Sequence, residues 1–112
     1  MKTEEALEII RRSEVDQEIK CIFTTYRDLE ENKEHSCLVD QYKHNANKDI
    51  LKINVDQYHF TEHEKNLQSH QYCELLIKKT DRKKSISVKF FCKLDHIENG
   101  SIYVKPLNIK MV

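Results

Sequence analysis

Residues 86–95 read Ile-Ser-Val-Lys-Phe-Phe-Cys-Lys-Leu-Asp, with apolar side chains at every second position: Ile86, Val88, Phe90, Cys92 and Leu94. A helix cannot place residues two apart on one face, whereas a β-strand must. The segment is therefore a strand with one face buried and the other turned outward. The remainder of the chain has to pair with it, using few flexible turns. Among 112 residues there is one glycine, Gly100, and one proline, Pro106. A single glycine also excludes a P-loop, a dinucleotide-binding fingerprint and the glycine-flanked nucleophile elbow.

Period-two patterning predicts further strands over 18–26 (Ile19, Cys21, Phe23), 36–43, 50–59 (Leu51, Ile53, Val55), 71–79 (Cys73, Leu75, Ile77) and 101–106. The turn-forming stretch Asn45-Ala46-Asn47-Lys48-Asp49 is expected to join 36–43 to 50–59 as a hairpin. A helix is expected over 4–16, capped by Thr3, with Glu4 and Glu5 near its start and Arg11 and Arg12 near its end, as the helix dipole favours. Ala6, Leu7 and Ile10 share its docking face. Thr61 and Glu64 have the capping-box spacing, which predicts a short helix over 61–70.

Around Glu98-Asn99-Gly100 a two-residue turn sets Val104 opposite Asp95. A three-residue loop with a left-handed Gly100 sets Val104 opposite Leu94 and Ile102 opposite His96, and the apolar match selects it. Pro106 lacks an amide hydrogen and marks an edge or an end. No connection is long enough for a crossover, so the sheet is expected to be antiparallel. The expected fold is α+β and mostly β. About six antiparallel strands form a small barrel or strongly twisted sheet, in a single domain over 1–112 with an N-terminal helix (1–16) and a β-rich module (17–107).

Lysine plus arginine number 19 and aspartate plus glutamate 19, so the formal charge is zero and no global field draws the chain to nucleic acid or an anionic membrane. The longest apolar runs are as short as Leu75-Leu76-Ile77 and the start is acidic, so neither a membrane span nor a secretory signal is expected, and the expected location is the cytoplasm. Cys21, Cys37, Cys73 and Cys92 form no C-x-x-C pair and lie in apolar patterns. They are expected to be reduced core thiols.

His59-Phe60-Thr61-Glu62-His63 matches H-x-x-E-H, whose two histidines converge on a metal only along one helix. With Thr61 as cap, His59 falls in the preceding strand, so no metal and no cofactor are expected. His63 and His70, two turns apart, share a helical face. No convergent nucleophile, base and acid are visible, so no catalytic residues and no enzymatic activity are expected. Lys78, Lys79, Arg82, Lys83 and Lys84 form a basic cluster at a hairpin tip, suited to phosphates or to an acidic partner, or simply a solvated turn that discourages edge pairing. Tyr72, Leu76, Phe91, Tyr103 and Leu107 fall on the second face of the sheet and need a cover: the N-terminal helix through Leu7 and Ile10, a second copy, or another protein.

The order of elements resembles a PilZ domain, with Tyr72 to Ile77, Ile86 to Leu94 and Gly100 to Val104 similar to that family's last three strands. The resemblance spans residues 11–107. It implies a cyclic di-GMP site built on R-x-x-x-R and [D/N]-x-S-x-x-G. Arg11 and Arg12 stand where the first motif belongs, with a different spacing. Asp40 and Asn45 fit the ends of the second, with Tyr42 in place of its serine. The resemblance therefore implies a bacterial-type, degenerate member that works as a regulatory module through protein contacts, with a cyclic dinucleotide or nucleic acid bound through Arg11, Arg12 and the 78–84 turn as the alternative.

Overall fold

The computed structural model describes residues 1–12, 18–28, 33–80 and 84–112. The elements run α1 (Thr3–Arg11), β1 (Glu18–Asp28), β2 (Lys33–Leu38), β3 (Gln41–Asn45), β4 (Ile50–Asn54), α2 (Gln57–Ser69), β5 (Tyr72–Thr80), β6 (Ser85–Glu98) and β7 (Ser101–Met111). Seven strands form one antiparallel sheet in the order β2-β1-β5-β6-β7-β4-β3.

The two edge strands, β2 and β3, are separated in the chain only by Val39 and Asp40. Two residues cannot span a flat seven-stranded sheet, whose neighbouring strands lie about 4.8 Å apart. The sheet must therefore curl until its edges meet at one end. The link is held at both sides: the Val39 amide donates to the Cys21 carbonyl of β1 (2.8 Å), and the Asp40 amide to the Asn54 carbonyl of β4 (2.9 Å). No ladder joins β2 to β3, so the sheet is curled and not closed.

This link corrects the expected strand over 36–43, which is two strands on opposite edges. Nothing in Leu38-Val39-Asp40-Gln41 carries a glycine or proline to mark the break. The hairpin through Asn45–Asp49 joins β3 to β4, with Asn45 Oδ1 accepting from the Asn47 and Lys48 amides. The third expected strand stops at Asn54, because Asp56 caps α2 by accepting from the His59 amide (2.9 Å). The helix thus begins four residues before the expected cap. Thr61 lies inside it and donates its hydroxyl to the Gln57 carbonyl. In α1 the capping position is Lys2, and Thr3 is buried as the first helical residue. The helix ends at Arg11, and residues 13–16 of its expected extent lie outside the described residues.

The inner face of the sheet holds Phe23, Leu51, Ile53, Leu75, Ile77, Val88, Phe90, Ile102 and Val104, all fully buried. Ala6, Leu7 and Ile10 of α1 and Leu67 of α2 complete the same cluster. Burying such side chains contributes roughly 1.5–3 kcal/mol each. Here the helix assignment is corrected: α1 seals the inner face and leaves the second face uncovered. Lys79 helps to hold it there. Its side chain is buried, and Nζ donates to the Arg12 carbonyl at the end of α1 (2.6 Å), where a cation also complements the helix dipole.

At the last hairpin Glu98 pairs with Ser101, and both Asn99 (φ 51°) and Gly100 (φ 77°) are left-handed, which is a two-residue turn of the I′ kind. The expected three-residue loop is therefore incorrect, yet Leu94 does face Val104. A bulge at Asp95 absorbs one residue and restores the apolar match, leaving Ile102 opposite Ile97 in place of His96. β4 pairs with β7 only at Ile102, Tyr103 and Val104, so Pro106 sits where β7 is locally an edge, beside a second bulge. A methyl group at Gly100 would meet nothing within 4 Å, so its cost is purely conformational. Gly100→Ala should lower unfolding free energy by about 1 kcal/mol in a denaturant titration. An unchanged midpoint would contradict the turn assignment.

Candidate functional site

Residues opposite one another in an antiparallel pair lie on the same face. The buried positions of β5 and β6 point inward, so the residues between them define the outer face. Across it, Lys20 faces Lys78, Lys89 faces Lys110, and Lys93 faces Lys105. Between these rows Glu74, Phe91 and Asn108 form another, and Tyr72 lies beside Lys93. Lys89 Nζ stands 5.8 Å from the Phe91 ring centre and Lys93 Nζ 6.0 Å from that of Tyr72. Glu74 pairs with Lys89 (3.7 Å). Outward acids on β1, β2 and β5 are Glu18, Glu34 and Glu74. Lys43, which faces Lys52, and Glu98 at the end of β6 continue the same face, so a chain with no net charge presents eight lysines against four glutamates there.

In the middle of this face Tyr26, Tyr72, Phe91 and Leu107 line a shallow, mainly apolar groove of about 480 Å³. Tyr72 and Leu107 are half exposed, at 51% and 55%. Of the five residues expected to form a contact surface, Tyr72, Leu76, Phe91 and Leu107 lie on this face. Tyr103 lies on the same face but outside this groove, stacked on His96, 4.2 Å between ring centres, near Lys52 in a separate cleft.

The 78–84 cluster is not one patch. Lys78 points outward, Lys79 points inward to α1, Lys84 is exposed before β6, and Arg82 and Lys83 lie outside the described residues. Arg11 and Arg12 end α1, Asp40 precedes β3 and Asn45 ends it. Asp40 and Asn45 are thus a strand length apart, roughly 16 Å at about 3.3 Å per residue, and do not converge on one ligand.

The second constellation lies between α2 and β2. His59 and His63 occupy one helix, which removes the ground for setting aside the H-x-x-E-H spacing. His63 is completely buried. Its Nδ1 meets the Thr25 hydroxyl (2.7 Å), which also accepts from Asn66 Nδ2 (3.1 Å), and its Nε2 meets Cys37 Sγ (3.1 Å). The Phe23 ring packs edge-on against it. His35 Nε2 meets His59 Nδ1 at 2.7 Å, and the His35 ring lies 4.9 Å from that of His63. Burial, with His35 and His59 adding to it, drives the His63 pKa down to about 3, so the ring is neutral. Burial likewise holds the Cys37 thiol protonated, with its pKa pushed up to about 11. The pair is not an activated thiolate and imidazolium. All four cysteines are free and buried, as expected of core thiols. His70, expected to share a face with His63, instead ends α2 beside Tyr72.

The lysine rows were invisible in the sequence because they depend on cross-strand register; only the alternation of Lys89, Phe91 and Lys93 hinted at them. His35 was invisible as a neighbour of α2 because it lies 24 residues from His59. Comparison of the chain with protein-family models, with curated proteins and with solved structures gave no match.

Thr25→Val should strand His63 Nδ1 and the Asn66 amide and cost about 1–3 kcal/mol, while Thr25→Ser keeps most of the stability. Equal stability of all three proteins in urea would contradict the network. The folded His63 pKa lies below the unfolded value near 6.5, so the unfolded chain takes up the proton first. Its contribution is fully present above pH 6.5 and is lost as pH falls toward 3, by at most about 1.4 kcal/mol per unit. Unfolding free energies between pH 6 and 4 should fall less steeply for His63→Gln than for the parent; parallel slopes would refute the assignment.

Proposed function

We propose that this protein is a small non-enzymatic binding module that docks an acidic segment of a partner protein on the outer face of its sheet. The observation that carries this is the set of four lysine–lysine pairs directly opposite one another: Lys20 with Lys78, Lys89 with Lys110, Lys93 with Lys105, and Lys43 with Lys52. Like charges at facing positions destabilise a sheet. An anionic partner relieves that repulsion, and the groove lined by Tyr72, Phe91 and Leu107 accepts an aromatic or aliphatic side chain between acidic residues. Nothing within the described fold covers this face, since α1 is spent on the inner one.

A second interpretation, single-stranded nucleic acid, draws on the rings of Phe91 and Tyr72, each with a lysine nearby, since bases stack on such rings while lysines track phosphates. A cyclic dinucleotide has less support, because Asp40 and Asn45 stand at opposite ends of β3.

Fluorescence anisotropy separates these. A glutamate-rich peptide carrying a central phenylalanine should bind the parent protein, and Lys93→Glu combined with Lys105→Glu should weaken it about tenfold or more without unfolding the protein. Phe91→Ala should weaken it as well. A single-stranded RNA oligonucleotide that binds more tightly than the peptide, with a steep loss on raising salt, would favour the second interpretation. Binding of neither probe to the parent would refute the surface.

A further inference from the structure

We propose that His35, Cys37, His59 and His63 form a binding site for a divalent transition metal of zinc's class. Two residues come from each of two elements. His35 and Cys37 are two apart on β2, so both face α2, and His59 and His63 are one helical turn apart, so both face β2. The donor atoms are already close in pairs, Cys37 Sγ to His63 Nε2 at 3.1 Å and His35 Nε2 to His59 Nδ1 at 2.7 Å. The His35 ring joins the pairs, with its centre 4.9 Å from that of His63 and 5.0 Å from that of His59.

The four do not stand as a finished cage; they bond to one another instead. With zinc–nitrogen bonds near 2.0–2.1 Å and zinc–sulfur bonds near 2.3 Å, a tetrahedral site has nitrogen–nitrogen edges of about 3.3 Å and sulfur–nitrogen edges of about 3.5 Å. Each observed pair therefore has to open by roughly half an ångström. Three imidazoles and a thiolate suit zinc, and thiolate ligation disfavours magnesium and calcium.

Two of the nitrogens turned away from the site have polar neighbours, one of them hydrogen-bonded. Thr25 accepts from Asn66 and has a second lone pair for a His63 Nδ1–H, the tautomer that leaves Nε2 bare toward Cys37. His59 Nε2 lies 3.7 Å from the Asp56 carboxylate. Partners of this kind orient metal-bound histidines. Metal binding is then a simple exchange: the Cys37 sulfur–hydrogen bond breaks, its electron pair forms the metal–sulfur bond, and the proton leaves to solvent. No oxidant or reductant takes part. The site is separate from the lysine face and stands or falls independently of it.

Titration of the full chain with cobalt(II), followed by absorbance, tests the assignment, with zinc then used in competition. The expected result is one equivalent of cobalt bound, with intense tetrahedral visible bands and a thiolate-to-cobalt charge-transfer band, all displaced by zinc. Cys37→Ser should abolish the charge-transfer band. His35→Gln and His59→Gln, at half-buried positions, should each weaken zinc binding by about tenfold or more while the folded spectrum persists. Failure of the parent protein to bind one equivalent would overturn the proposal. So would binding that persists unchanged in both histidine variants, or a spectrum with no thiolate band.

Discussion

The fold depends on a link of two residues. β2 and β3 are the opposite edges of a seven-stranded sheet, and only Val39 and Asp40 lie between them. Once the Val39 and Asp40 amides are bonded to β1 and β4, the sheet has no flat solution. Curling gives it an inside and an outside. The inside is too wide to be filled by strand side chains alone, so α1 contributes Ala6, Leu7 and Ile10, and α2 contributes Leu67. Both helices are consumed in sealing one face, and the outer face of β1, β5, β6 and β7 has none left to cover it.

The polar content of the molecule is placed accordingly. Inside, polar groups are paired: Lys79 closes the end of α1, and Thr25, His63, Asn66 and Cys37 satisfy one another beneath α2. A buried network of this kind favours one seating of the helix, since any shift leaves donors without acceptors. Outside, charges are arranged with little regard for stability. Four lysine pairs face each other where alternating signs would have cost nothing, with Glu18 beside Lys20 and Glu74 beside Lys89. Neutrality of the whole chain conceals this segregation.

Much of the architecture was legible because it rests on period and local chemistry. The alternation through 86–94 located β6 and its buried face, and the match of Leu94 with Val104 survived even though the turn between them was misjudged. That error is instructive: Asn99-Gly100 demanded a two-residue turn, the apolar faces demanded a different register, and a bulge at Asp95 satisfied both. A period-two pattern cannot display an extra residue. The split of 36–43 escaped for a related reason, as the chain changes edges without a glycine or proline. The start of α2 was misplaced because Thr61 and Glu64 mimic a capping box, while Asp56 is the cap. The five residues of the expected contact surface lie on the outer face, with Tyr103 in a cleft apart from Tyr72, Phe91 and Leu107. The lysine rows and the proximity of His35 to α2 depend on long-range register, which no local pattern encodes.

The central claim is that the uncovered, lysine-rich face is where the protein meets its partner. Amide chemical-shift mapping tests it most directly, by titrating the isotopically labelled protein with a glutamate-rich peptide. The shifts should gather on outward positions of the central strands, around Tyr72, Lys89, Phe91, Lys93, Lys105 and Asn108, and leave the amides of α1 and β3 unmoved. Shifts confined to Arg11, Arg12 and the neighbourhood of Asp40, or no shifts at saturating peptide, would contradict it.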